Sequence, residues 1–166
     1  MDNEKRSKQL HESAQRVQDY LHQKGLDLTV IELPGSTRTA REAADSVGCS
    51  VSQIAKSLIF RDKKNDIPIL VIAAGSNRVD TRKIEKKAGI RLGQANGNFV
   101  KEQVGFAIGG VPPAGHKFPL QTYLDPELKE HASLWAAAGT PNALFKLSPD
   151  DLTTLTNGTW VELAQE

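Results

Sequence analysis

The histidines and the cysteine, the side chains that most often hold zinc, are few and scattered. His11, His22, His116 and His131 do not have the spacing of a metal-ligand set, and Cys49 is the only cysteine, so no zinc site and no internal disulfide is expected. The run Gly110-Val111-Pro112-Pro113-Ala114-Gly115-His116-Lys117 has the outline of a phosphate loop. Its Gly-Lys-Ser/Thr ending is missing, however, and two prolines remove backbone donors from the cradle. Neither Gly-x-Gly-x-x-Gly nor Gly-x-Ser-x-Gly occurs, which removes support for dinucleotide redox chemistry and for a serine-elbow hydrolase.

Two features remain. Lys56 falls between a capped segment, residues 50–55, and the apolar run Ser57-Leu58-Ile59-Phe60. One reading lays its stem along apolar surface with the ammonium in water, an ordinary cation. The other sets a compact ammonium at the mouth of a sheet, where it holds a phosphate or stabilises a developing oxyanion. The second feature is Gly109-Gly110-Val111-Pro112-Pro113-Ala114-Gly115-His116, directly after Phe106-Ala107-Ile108. Its glycines let a ligand approach the backbone closely and its prolines stiffen the loop; the plain alternative is a tight connection between strands.

The elements that must carry these residues are legible from pattern. Leu10, Ala14, Val17 and Leu21 at helical spacing, followed by Gly25, predict an amphipathic helix, and residues 28–33 predict a strand broken by Pro34-Gly35. Thr39-x-x-Glu42 and Ser50-x-x-Gln53 both fit capping boxes, with Gly48 between them as a stop, so two tandem helices are expected before Lys56. Residues 57–60 and 67–74 read as a hairpin. Asp80 caps a helix to about Ala88, and Asn98 caps another that stops at Gly105. Further strands are expected at 106–108, 120–124, 133–137, 143–147 and 160–163, with Ser148-Pro149-Asp150-Asp151 opening a helix. Several strand pairs have connections too short for parallel crossovers, so the expectation is α/β with a mixed, mostly antiparallel, barrel-like sheet surrounded by helices.

Composition sets the outer bounds. A chain of 166 residues with 39% hydrophobic and 25% charged residues is of ordinary globular make-up and of a size for one domain, 1–166. The polar N-terminal segment has no apolar signal region and no run approaches a membrane span, so the expected location is cytoplasmic, with no membrane partner. In that setting the Asn157-Gly158-Thr159 glycosylation triplet is silent. A net charge of +1 gives the molecule no general hold on a polyanion, so any nucleic-acid contact must be local. The basic cluster Arg78, Arg82, Lys83, Lys86, Lys87 and Arg91 reads first as a solvated helix face.

Taken together, Ser36-Thr37-Arg38-Thr39-Ala40-Arg41-Glu42-Ala43-Ala44, Gln53-Ile54-Ala55-Lys56-Ser57-Leu58-Ile59-Phe60, the 109–115 loop and Ala136-Ala137-Ala138-Gly139-Thr140-Pro141-Asn142 resemble, in order and spacing, the YbaK or prolyl-tRNA synthetase associated editing domain family. The resemblance implies hydrolysis of the ester joining a wrong amino acid to transfer RNA, with tRNA for proline the expected carrier. It also implies a freestanding factor that meets the CCA end of mischarged tRNA, and a synthetase only in passing. Lys56 matches the family's essential lysine, and Gly109 and Gly110 open its glycine–proline loop. Substrate contacts are then expected from Thr39, Ser57, Val111, Pro112, Pro113, Gly115, His116 and Asp125. For Asp125, helix capping ahead of Pro126 is an equal reading. No metal and no organic cofactor is implied. The sequence lacks the His-Pro-Leu motif of the alanine-specific branch and has Gly139-Thr140-Pro141 near that place, so the amino acid stays open. A non-catalytic module that binds the aminoacyl end of RNA, and an enzyme using Lys56 as a Schiff-base nucleophile, are the rival classes.

Overall fold

The computed structural model describes residues 9–166; the polar residues 1–8 lie outside the described part. The first helix, α1 (Glu12–Gln23), is capped by His11 and buries Ala14, Val17 and Leu21, as its spacing predicts. Then follow β1 (Val30–Glu32), α2 (Ala40–Val47) and a short 3-10 turn at Val51–Gln53. The long hairpin β2 (Ile54–Asp62) and β3 (Ile67–Ala74) leads to α3 (Thr81–Ala88), β4 (Leu92–Gln94) and α4 (Gly97–Val104). The rest is β5 (Gln121–Leu124), a 3-10 turn at Pro126–Glu130, β6 (Leu134–Ala137), β7 (Ala143–Leu147), α5 (Pro149–Thr156) and β8 (Thr159–Trp160).

These strands make one mixed sheet in the order β1-β7-β6-β2-β3-β5-β8, with β4 added to β2. β2 pairs antiparallel with β3 over its whole length, while β2–β6, β3–β5 and β5–β8 are parallel. β3 is the centre and is buried on both faces, which is why its sequence is a continuous apolar run instead of an alternation. Leu70, Ile72 and Ala74 join the larger core with α1, α4 and α5. Ile69, Val71 and Ala73 face the other way, onto Ile84 of α3 and Val161 and Leu163 near the C-terminus. A third cluster seats Ala43 and Ala44 of α2 on Ile54 and Leu144. Truncating a fully buried residue such as Leu70 to Ala would cost about 2–5 kcal/mol.

Several expectations need correction. The second capping box exists, but it opens only the three-residue 3-10 turn, because β2 pairing begins at Ile54; Lys56 is therefore the third residue of a strand and not a helix–strand joint. The helix that stops at Gly105 is capped by Asn96, whose side chain accepts from Phe99 N–H, and not by Asn98. Residues 106–108 are not a strand: Gly105 turns the chain left-handed and Ile108 is left 55% exposed. The final strand falls at Thr159–Trp160, one residue before the expected start, and β4 lacked any periodic signal in its three residues.

Candidate active site

β2 carries the site because its outer edge is incomplete. The ladder to β6 ends at Ala55↔Ala136 and the ladder to β4 begins at Phe60↔Gln94, so residues 56–59 have no strand neighbour there. Backbone groups alternate between the two edges of a strand. Ile54 C=O accepts from Gly75 N–H on the β3 side, at 2.8 Å, and Lys63 N–H donates to Arg91 C=O on the β4 side, at 2.9 Å. That parity turns the N–H and C=O of Ser57 toward the open edge. Its Oγ is also buried without a hydrogen-bond partner. Beside this edge lies a cavity of about 470 Å³ lined by Arg38, Thr39, Lys56, Ser57, Gly109 and Val111, with Ile108 at the same wall.

Lys56 is half-buried in that cavity, and its Nζ donates to the backbone carbonyl of Asn77 at 3.0 Å. The carbonyl is held in place from behind. Asn77 Nδ2 donates to Asp125 Oδ2 at 2.8 Å and to Glu127 Oε2 at 2.9 Å. Asp125, only 2% exposed, accepts further from Ala74 N–H at 3.0 Å and from Glu127 N–H at 3.0 Å. Gly75 lets this turn tuck in, since a Cβ there would stand against the Val51 carbonyl and 2.8 Å from Ala40 Cβ. Burial, and then the Arg78 charge, push the Lys56 ammonium below the usual lysine range, while the Asp125 carboxylate pulls it back up. An ammonium has three N–H donors, and one of them goes to Asn77.

The facing wall is the 105–116 loop, closed at its base by Lys117 N–H donating to Val104 C=O at 2.9 Å. Gly109 has φ +96 and bears the Arg38 side chain, whose Nε lies 3.0 Å from where a Cβ would be. Gly110 N–H donates to Ala107 C=O at 3.2 Å, and Gly110 C=O accepts from Gly139 N–H at 2.8 Å. A Cβ on Gly110 would lie 2.8 Å from the Thr140 backbone, so only glycine fits between loop and sheet. The 139–142 turn also holds the third wall, because Pro141 C=O accepts from both the N–H and the hydroxyl of Thr37. Thr39 caps α2 through a complete capping box with Glu42.

The expected site residues thus divide. Lys56, Ser57, Thr39, Gly109 and Val111 converge on the cavity. Gly110 is a seam behind it and Asp125 reaches it only through Asn77. Gly115 and His116 border a different hollow. His116 Nε2 donates to Pro112 C=O at 2.7 Å, and burial outweighs that bond in pushing the imidazole below its ordinary value. Pro112 and Pro113 are buried loop stiffeners that do not line the cavity. Two residues of the site escaped sequence reasoning. Arg38, which lines the cavity, stood inside a recognised segment, whereas Asn77 does not line it and meets Lys56 through a main-chain carbonyl, which leaves no side-chain motif. Among the described residues no three His, Cys, Asp or Glu side chains converge on one point. No helix among them is long and apolar enough to cross a membrane.

Residues 35–155 match the aminoacyl-tRNA editing domain, and the chain is a member of that family. It is 46% identical to a solved protein described as "a putative trans-editing enzyme for prolyl tRNA synthetase", covering 95% of this chain and 100% of that one, with a TM-score of 0.90. It is 32% identical over 155 residues to "Uncharacterized protein YwhH" of Bacillus subtilis, covering 93% of this chain and 98% of the relative. A more distant relative, 26% identical over 126 residues, is the "Putative Cys-tRNA(Pro)/Cys-tRNA(Cys) deacylase EbsC" of Enterococcus faecalis; the match covers 75% of this chain and 76% of that one.

Proposed function

We propose that the protein is a hydrolase acting in trans, in the cytoplasm, on mischarged aminoacyl-tRNA, with tRNA for proline as the carrier. The observation that carries this reading is a half-buried ammonium with donors to spare, set across a cavity from loop amides and beside the unpaired groups of Ser57. A synthetase pocket gains only about 1–3 kcal/mol from one methylene, so a second site that destroys the error is chemically necessary.

In the reaction, water adds to the ester carbonyl, the bond from carbon to the ribose oxygen breaks, and that oxygen takes a proton. The products are a free amino acid and the tRNA with its terminal hydroxyl restored. The amides of Gly109 and Val111 are the loop donors for the oxyanion, since the Gly110 amide is already given to Ala107. Lys56, protonated, holds the terminal phosphate or the developing charge. His116 is committed to Pro112 outside the cavity, so the proton passes by way of the substrate's own ribose hydroxyl.

The test follows release of labelled amino acid from proline tRNAs charged with alanine, cysteine, serine or threonine, using wild type and Lys56→Ala. Selective release that collapses in the variant is expected; no release above the uncatalysed rate from any member would leave only a binding module. The reduced basicity of Lys56 also favours a Schiff-base reading. Borohydride trapping that leaves Lys56 unmodified during turnover would eliminate it.

A further inference from the structure

A second hollow lies at the far side of the same loop. It encloses about 280 Å³ and is lined by the rings of Tyr20, His116 and Phe118, with Gly115, Leu120 and Leu155 as its floor and sides. Phe118 is 57% exposed. Lys117 Nζ stands 5.7 Å from the centre of the Phe118 ring and Lys24 Nζ 5.5 Å from that of Tyr20, and no carboxylate lines the hollow. A lone exposed apolar residue needs no explanation. Three aromatic residues lining one hollow, with ammonium groups over two of their rings and no acid in the lining, are a different matter. Bases stack on such rings whatever their identity, while the cations meet the phosphates.

The hollow is also tied to the catalytic cavity. Residues 105–116 form a closed loop whose ends are joined at Val104 and Lys117, with Gly109 and Val111 at one cavity and Gly115 and His116 at the other. Pro112, Pro113 and the bond from His116 to Pro112 C=O stiffen the span between them. From Gly109 to Gly115 the chain reaches at most about 21 Å, which a few nucleotides of strand cover.

We propose that the hollow formed by Tyr20, His116 and Phe118 is a nucleobase subsite, which stacks an unpaired base of the strand leading to the aminoacylated end of the tRNA. The inference rests on the deacylase reading for its substrate. Steady-state release is to be compared for wild type, Phe118→Ala and Phe118→Trp on mischarged tRNA and on the same amino acid esterified to adenosine alone. Phe118→Ala should raise KM for tRNA about tenfold with kcat within twofold, Phe118→Trp should restore it, and the adenosine ester should be cleaved alike by all three. Equal losses on both substrates would mark Phe118 as a loop-packing residue and overturn the subsite. So would no change on tRNA, or a loss seen only with a synthetase present, which would assign the hollow to a protein partner. The Kd for uncharged tRNA separates the two claims. If wild type cleaves neither substrate the deacylase reading falls, yet a tenfold weaker Kd for Phe118→Ala would still support the subsite and an unchanged Kd would overturn it.

Discussion

Lys56 and Lys83 make the same hydrogen bond with opposite results. Each gives its ammonium to a main-chain carbonyl, Lys56 to Asn77 at 3.0 Å and Lys83 to Ala164 at 2.7 Å. At Lys83 the carboxylate of Glu166 stands 3.8 Å away, and the bond fastens the C-terminal segment to α3 beside the Val79↔Ala164 bridge. At Lys56 no carboxylate among the described residues comes within salt-bridge distance, Arg78 adds to the positive field, and the side chain borders a cavity. The bond is alike; what the neighbourhood leaves unsatisfied differs. One ammonium fastens the chain's C-terminal segment, and the other is aimed by a single carbonyl beside a cavity.

The largest effect expected from this contrast comes from removing each lysine in turn. Lys56→Ala should lower kcat/KM for deacylation by about 10²–10³, the usual loss of one donor at a developing oxyanion, with thermal unfolding little changed. Lys83→Ala should leave kcat/KM alone and lower stability by about 1 kcal/mol or less, as for an exposed ion pair. Parallel losses of activity in the two variants would erase the distinction.

Next comes the brace behind Lys56. Asp125→Ala strands three N–H donors, from Ala74, Asn77 and Glu127, and should cost about 2–3 kcal/mol in a denaturant titration. Asn77→Ala keeps the main-chain carbonyl but frees the turn that aims it. It should cost about 1 kcal/mol and lower kcat about tenfold at constant KM. An Asn77→Ala enzyme with unchanged kcat would mean that Lys56 is positioned by β2 alone.

The contrast also shows what the sequence could reveal. Caps and local periodicity were readable because the signal is local: Thr39 with Glu42, Asp80, Ser148 with Asp151, and the apolar run of β3 all stand where expected. Lys56 and the glycine loop stood out because a charge beside an apolar run, and paired glycines with paired prolines, are locally odd. The brace did not, because Asn77 and Asp125 meet across 48 residues and the essential contact is a peptide carbonyl. The open edge of β2 was invisible for a similar reason. It is defined by where β6 and β4 stop pairing, which is a property of registers between distant strands. Residues 106–108 misled because Phe106 enters the core from a loop, while only Ile108 of the three reaches the cavity wall.

A pH titration sharpens the comparison with a smaller effect. Lys56 is less basic in the folded chain than the ordinary lysine value of about 10.4. In the window between its lowered folded value and that figure, the unfolded chain binds more protons, so this group makes stability rise with pH there. Lys56→Met should flatten that rise. Deacylation, which needs the charged form, should fall over the same window, earlier than a free lysine would lose its proton. A rate that stays level up to about pH 10 would mean that the protonated ammonium is not required.

The smallest effect concerns Ser57, where function and stability should part company. Its Oγ is buried and makes no hydrogen bond to another protein group, so the hydroxyl adds no protein contact to the fold. Removing the hydroxyl breaks no protein–protein hydrogen bond, and Ser57→Ala should unfold at the same denaturant concentration as wild type or slightly above it. If the open edge of β2 receives the aminoacyl group, the same change removes one contact to substrate and should raise KM a few-fold, leaving kcat nearly intact. The N–H and C=O of Ser57 survive the substitution, which is why the effect is modest. Loss of stability with no change in KM would show instead that the hydroxyl serves the protein through a bound water, and that the edge beside it takes no part in recognition.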